Sequence, residues 1–217
     1  MAIIKQGILG GFSNKVGSVV GAGWKGIATM RSLPQSVANP RTTAQVANRS
    51  TFAQLAVIGS GILPTIIQPL WNRWAKKMSG YNEWLSVNKK LLDEIGNVNL
   101  FFAQAVFANG DLSSNITTGT VSSAGVVNLT FDTTLVNAHD AATDEAYVVV
   151  GVGKSSVTSL SEVKMYGFAT GVSRSAGTVS VNIDAVTGDE IVNAYLMFRS
   201  KDGVYRSTTA FKILENA

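Results

Sequence analysis

Three groupings in the 217-residue chain carry residue types that could do chemistry. Gly21-Ala22-Gly23-Trp24-Lys25-Gly26 has the G-x-G-x-x-G spacing with which a glycine-rich turn lets backbone approach a pyrophosphate. Such a site also needs a buried strand before it, a helix after it and an acid about 20 residues on. The first acid here is Glu83, and Pro34 cuts the segment that follows, so dinucleotide binding is not expected. Gly153-Lys154-Ser155 ends like a phosphate loop, but Val148 stands where that pattern needs its first glycine, and the stretch reads as a strand end and loop. His139-Asp140 could move a proton. No nucleophile or metal set accompanies it, and Asn137-Ala138-His139-Asp140 reads as a polar surface loop. The pairs Asp144-Glu145 and Asp189-Glu190 sit beside turns, where solvated charge is normal.

Composition removes further classes. There is no cysteine and a single histidine, which excludes disulfide scaffolds, thiol catalysis, cysteine–zinc sites and multi-histidine metal sites. No catalytic residue, metal or cofactor is therefore expected, and an enzyme is the weakest reading. The N-terminus lacks the apolar run of about 7–15 residues that marks a signal peptide. The greasiest stretch, Leu55–Leu70, is broken by Gly59, Gly61, Pro64, Gln68 and Pro69, short of the roughly 20 apolar residues of a membrane span. The expected location is a virion or a bacterial cytoplasm, with no membrane span.

Hydrophobic residues make up 46% of the chain, enough for a sizeable core. Charged residues make up 15%, against about 25% in an ordinary soluble domain. A surface so short of charge suggests cover by neighbouring subunits. The charge is also unevenly placed. Nine basic residues, Lys5, Lys15, Lys25, Arg31, Arg41, Arg49, Arg73, Lys76 and Lys77, precede the first carboxylate, whereas residues 101–217 carry seven basic and eleven acidic residues. A basic leading segment points to nucleic acid, to an acidic surface or to the acidic part of an identical neighbour.

The elements that would position these residues fall into three segments. Residues 1–38 form a Gly-rich basic N-terminal arm, with Val16–Val20 and Trp24–Arg31 as extended runs around a turn at Gly21-Ala22-Gly23. An isolated hairpin is marginally stable, so the arm should gain order by lying on something else. Residues 39–98 form a helical segment. Thr42 or Thr43 caps a first helix whose apolar face is Ala44, Ala47, Phe52, Leu55, Ala56 and Gly59. A second helix is expected from about Ile66 to Lys77. A third starts near Asn82, with Trp84, Leu85, Asn88, Leu91, Leu92 and Ile95 inward and Gly96 as its stop. Residues 99–217 form a β-sandwich domain. Its strands are expected at Gln104–Ala108, Thr117–Ser122, Val126–Phe131, Ala146–Val152, Met165–Thr170, Thr178–Ile183, Ile191–Phe198 and Val204–Ile213. The fold class is α+β, mainly β, with an immunoglobulin- or fibronectin-like sandwich lacking the Cys…Trp…Cys signature.

The run Ile3–Pro34 (IIKQGILGGFSNKVGSVVGAGWKGIATMRSLP), with Asn39-Pro40-Arg41-Thr42, Gln45, Arg49, Phe52 and Ser79-Gly80-Tyr81-Asn82, resembles an uncharacterised family of this length from Bacteroidetes bacteria and their phages. Tyr195–Phe198, Arg199 and Asp202-Gly203 suit the same family, and the resemblance spans essentially the whole chain. It implies no enzyme activity and favours a virion or phage-derived structural component.

The sequence thus leads to a self-assembling structural protein of many identical copies, such as a capsid or tail component. Phe12, Val16, Val20, Trp24 and Ile27 anchor the arm on a neighbour, a heterologous contact whose repetition makes rings, shells or filaments. Other virion proteins are further partners. Two alternatives stand beside it. One is non-specific nucleic-acid contact through Lys5, Lys15, Lys25, Arg31, Arg41 and Arg49 by phosphate neutralisation. The other is a bacterial filament or surface-adhesion module resting on the sandwich alone.

Overall fold

A computed structural model describes residues 2–3, 11–36, 38–95, 98–154 and 162–216. The protein is α+β and mainly β. Strands β1 (Ala2–Ile3), β2 (Asn14–Val16), β3 (Val19–Trp24) and β4 (Ile27–Ser32) form an antiparallel sheet in the order β1-β4-β3-β2. Helices α1 (Thr43–Gly61), α2 (Gln68–Trp71), α3 (Gly80–Ile95) and α4 (Val98–Gln104) follow. Then come β5 (Ile116–Val121), β6 (Val126–Phe131), β7 (Glu145–Lys154), β8 (Lys164–Ser173), β9 (Thr178–Asn182), β10 (Glu190–Arg199) and β11 (Ala210–Asn216), in the sheet order β8-β7-β10-β11-β5-β6-β9. All its pairings are antiparallel except a short parallel one, Glu215 and Asn216 of β11 against Thr120 and Val121 of β5.

Two apolar cores share the central strands. On β7, Ala146, Val148, Val150 and Val152 face one core while Tyr147 and Val149 face the other. On β10, Val192, Ala194, Leu196 and Phe198 face the first, Tyr195 and Met197 the second. This is why these strands read as continuous apolar runs rather than as alternation. The first core lies among the strands themselves, with Leu129, Phe131, Val179, Val181 and Leu214. The second lies between the sheet and the helices and buries Leu55, Ile62, Ile66, Leu70, Trp71, Trp84 and Phe107. Edge strands β8 and β9 also approach each other, and nearby the Tyr166 hydroxyl donates to Asp184 Oδ2 at 2.6 Å. Burial and that bond raise the Tyr166 pKa to about 12.

Buried polar side chains fix the connections. Arg174, 1% exposed, lies with its guanidinium 4.0 Å from the Phe198 ring centroid. Its Nε donates to Asp144 Oδ2 at 3.2 Å, its Nη2 lies 3.6 Å from Asp140 Oδ1, and it also donates to the Ser113 hydroxyl and carbonyl. Asp140 in turn accepts from the N–H groups of Val136, Asn137 and Ser113 and from the Ser113 hydroxyl, so one ion cluster folds the 132–144 loop. Burial opposes ionisation of Asp140, but these donors, with Arg174, hold its pKa below the ordinary value. Arg206 is clamped between Trp71 and Trp74, 4.5 Å from each ring centroid, and donates to the carbonyls of Asn109 and Leu70. Burial lowers its pKa to about 10.

Several sequence expectations need correction. The expected turn at Gly21-Ala22-Gly23 lies inside β3, and the chain reverses at Lys25-Gly26 instead. Both residues have positive φ (45° and 80°), as a two-residue type I′ hairpin loop requires. On α1, Phe52 is exposed, and the buried residues are Leu55, Ile58 and Gly59. Gly59 is needed there because a Cβ would come within 2.6 Å of the Trp84 ring. The second helix does not run from Ile66 to Lys77: a π-helical turn, Leu63–Ile67, with Pro64 in its first turn, leads into α2, which stops at Trp71. The helix expected near Asn82 begins at Gly80. Gln104–Ala108 is not a strand. Asn88 instead binds both backbone groups of Val106, and the Thr209 hydroxyl accepts from the N–H groups of Phe107 and Ala108. The last strand starts at Ala210 rather than Val204, because residues 200–209 loop inward to seat Arg206. Gly96 lies outside the described residues.

Candidate functional site

The N-terminal sheet is built by its glycines and by strand alternation. Gly17 (φ 58°) turns β2 into β3, and Lys25-Gly26 turns β3 into β4. Paired residues of an antiparallel sheet share a face. Lys15 pairs with Val20 and Val20 with Arg31, so the three form one row. Two residues on are Ala22 and Thr29, then Trp24 and Ile27. One face therefore presents Val20, Ala22, Trp24, Ile27 and Thr29 with Lys15 and Arg31 at its end. The opposite face holds Asn14, Val16, Val19, Gly21, Gly23, Ala28, Met30 and Ser32. Phe12 lies on this second face: a Cβ on Gly21 would fall 2.5 Å from its ring, and one on Gly11 would fall 2.7 Å from the Ala28 Cβ.

Of the five expected anchor residues, the structure thus brings Val20, Trp24 and Ile27 together on one face and puts Phe12 and Val16 on the other. Trp24 is 59% and Val16 64% exposed, while Phe12, Val20 and Ile27 are half-buried. Of the six expected phosphate-contacting cations, Lys15 and Arg31 share a row. Lys25, in the turn, donates to the Met78 carbonyl. Arg41 is exposed just before α1, and Arg49, on α1, donates to Asn39 Oδ1 at 2.6 Å. Lys5 lies outside the described residues.

Among the described residues from 11 to 54, Gly21 alone is buried. Thr42 caps α1 by accepting from the Gln45 N–H, yet burial on α1 starts at Leu55. Exposed on this stretch are Met30, Leu33, Val46 and Phe52, as well as Val16 and Trp24. Neither apolar core includes any described residue of the N-terminal sheet.

The three groupings with chemical potential are dispersed. His139 is exposed and stacks on Tyr205, with ring centroids 4.0 Å apart. Asp140 is committed to the Arg174 cluster. Gly21–Trp24 is strand, with no helix at Gly26. Gly153-Lys154 ends β7, and Ser155 lies outside the described residues. Among the described residues, no cluster of three or more His, Asp or Glu side chains could hold a metal ion. Nor is any single helix there long and apolar enough to cross a membrane; α1 and the helical stretch Leu63–Trp71 meet at 73°.

A cavity of about 170 Å³ opens on the helix-facing side of the large sheet, lined by Phe102, Val163, Ile191, Asn193, Phe211 and Ile213 among others. Little in the sequence points to it. The one signal is that odd-numbered apolar residues continue on β10 and β11 past the last helix that could cover them.

These features define a β-rich α+β protein with a cationic, largely unburied N-terminal sheet. Residues 10–211 match the model of a family of unknown function, DUF6266, and the chain belongs to that family. No curated protein matches the sequence.

Proposed function

We propose that the protein is a non-enzymatic structural subunit that assembles into a multi-copy particle, a virion or phage-derived component such as a capsid or tail protein. In this reading residues 1–38 are an arm that docks on a neighbouring copy, and the large sheet is an immunoglobulin- or fibronectin-like sandwich forming the subunit body. One observation carries it: among the described residues from 11 to 54, which are rich in exposed Val, Trp, Met, Leu and Phe, a single glycine is buried. Exposed apolar surface marks an interaction site, and here it is carried by both faces of the N-terminal sheet (Val16, Met30; Trp24) and continues onto α1 (Val46, Phe52). A small sheet with no core of its own needs a surface to lie on.

Light scattering and negative-stain microscopy of the full chain and of a chain lacking residues 1–38 test this. The full chain forms particles of high mass, and the truncated chain is folded but dispersed. A dispersed full chain, or an unchanged particle after truncation, refutes the reading.

The row Lys15–Val20–Arg31 favours a second function, contact with packaged nucleic acid through phosphates. Neutralising each phosphate adds about −0.9 to the slope of log K against log salt for duplex DNA. A slope near zero removes this second function.

A further inference from the structure

We infer that Asn109-Gly110 is a site of self-modification, where attack by the Gly110 nitrogen expels the Asn109 amide as ammonia and Arg206 promotes the step. The pair lies in the loop between α4 and β5, with Asn109 exposed. Every other asparagine of the chain precedes a residue with a β-carbon. Here the glycine is obligatory, because a Cβ on Gly110 would overlap the Arg206 carbonyl oxygen. Among the described residues, neither the Asn109 side-chain amide nor the Gly110 N–H has a hydrogen-bond partner. Other asparagines are tied: Asn72 accepts from the Gly80 N–H, Asn88 binds Val106, and Asn137 donates to the Asp111 carbonyl. The chemically similar pair Asp202-Gly203 is closed to the same attack. Its Gly203 N–H donates to the Ser200 carbonyl at 2.8 Å. Its carboxylate accepts from the Ser200 hydroxyl and the Val204 N–H, which hold it ionised and so a poor electrophile.

Arg206 supplies what the nucleophile needs. An amide nitrogen attacks as its anion, whose charge is shared with the carbonyl oxygen of the same peptide. That peptide joins Asn109 to Gly110, and its oxygen accepts from Arg206 Nε at 2.6 Å. Arg206 is 6% exposed, lies between Trp71 and Trp74 and, with a pKa of about 10, keeps its charge at neutral pH. A charge-assisted bond at so buried a place strengthens as the oxygen gains negative charge. Hydroxide takes the Gly110 proton, and the Gly110 nitrogen bonds to Asn109 Cγ. The Cγ–Nδ2 bond breaks, and Nδ2 leaves as ammonia after taking a proton from water, which restores the hydroxide. Water then opens the five-membered imide. Attack at Cγ leaves an aspartate on the original main chain. Attack at the main-chain carbonyl carbon, the one Arg206 polarises, leaves an isoaspartyl residue and lengthens the main chain by a methylene. Either product puts a carboxylate where the amide was. This chemistry needs a single copy of the chain, assembled or not.

The full chain is incubated in mildly alkaline buffer, folded in one sample and unfolded by urea in another. Its peptides are then mapped by mass and by isoaspartyl methyltransferase labelling. A more acidic form, separable by anion exchange, should appear with its new carboxylate at Asn109 and isoaspartate as the main product. The unfolded chain lacks the Arg206 bond, so conversion should be about tenfold faster in the folded chain, the rate equivalent of one charge-assisted bond. Asn109→Gln, whose longer side chain has to close a six-membered ring, should remove the acidic form and leave the urea midpoint unchanged. A folded chain that converts no faster than the unfolded one overturns the role of Arg206. A folded chain whose Asn109 stays an amide, or converts no faster than its other asparagines, overturns the site.

Discussion

Strands β7 and β10 and the hairpin β3–β4 of the N-terminal sheet are all antiparallel and rich in apolar residues, yet they solve opposite problems. Tyr147 through Val150 and Ala194 through Phe198 are buried from both sides, one side chain after the next. Val19–Trp24 and Ile27–Ser32 bury only Gly21, and that because Phe12 rests on it. β-propensity makes a strand in both places, and the difference is whether the same chain supplies a second layer. Where it does, as with the helices over Tyr195 and Met197, the strand is core. Where it does not, an apolar face with flanking cations is left open, and under the assembly proposal an identical neighbour closes it.

Substitutions in the doubly covered region should have the largest effects. Arg174→Ala leaves Asp140 and Asp144 as buried carboxylates without their cation, and should cost about 3–5 kcal/mol in urea unfolding of the protomer. A loss below about 1 kcal/mol would show that the cluster is bystander rather than cross-brace. Tyr195→Phe removes the donor to the Phe102 carbonyl, 2.8 Å away, and leaves that oxygen unpaired in the helix–sheet core. About 1–3 kcal/mol should be lost, again read by urea unfolding.

Acid sharpens the same contrast. The folded pKa of Asp140 lies below its ordinary value. Its contribution is therefore complete above the unfolded pKa of about 4 and is lost as pH falls through the folded one. The urea midpoint should drop below about pH 4, and Asp140→Asn should flatten that drop. An unchanged acid limb would separate Asp140 from the stability of the loop.

The smallest effects are expected at the N-terminal sheet. Trp24→Ser or Val16→Ser should change protomer stability by no more than about 0.5 kcal/mol, since each side chain is mostly in solvent. Trp24→Ser should nevertheless reduce particle mass. A loss of several kcal/mol from Trp24→Ser would mean that the indole is part of the protomer's own core.

Much of the fold is legible in the sequence because periodicity and capping are local. Val126–Phe131 is a strand over the expected residues, Thr42 caps the first helix, and Trp84, Leu85, Asn88 and Leu92 turn inward. The elements that depart from expectation depend on distant partners. Gln104–Ala108 has strand-like composition, but Asn88 and Thr209 take its backbone groups. The inward loop at 200–209 exists because Trp71 and Trp74 hold Arg206. In the hairpin, glycine density is a poor guide to the turn: Gly21 and Gly23 lie in the strand, and the positive φ angles fall on Lys25 and Gly26. Of the candidate site, the basic, glycine-rich segment is legible in the sequence. That its anchors divide between two faces depends on the register of strand pairing, which the sequence does not spell out.

Hydrogen–deuterium exchange of the full chain, first concentrated and then diluted below assembly, compares the two regions in a single experiment. If a neighbouring copy closes the N-terminal sheet, amides in Val19–Ser32 are protected in the particle and exchange freely in the dilute protomer, while those of β7 and β10 stay protected in both. Equal protection of Val19–Ser32 in the dilute, monomeric protein would contradict it.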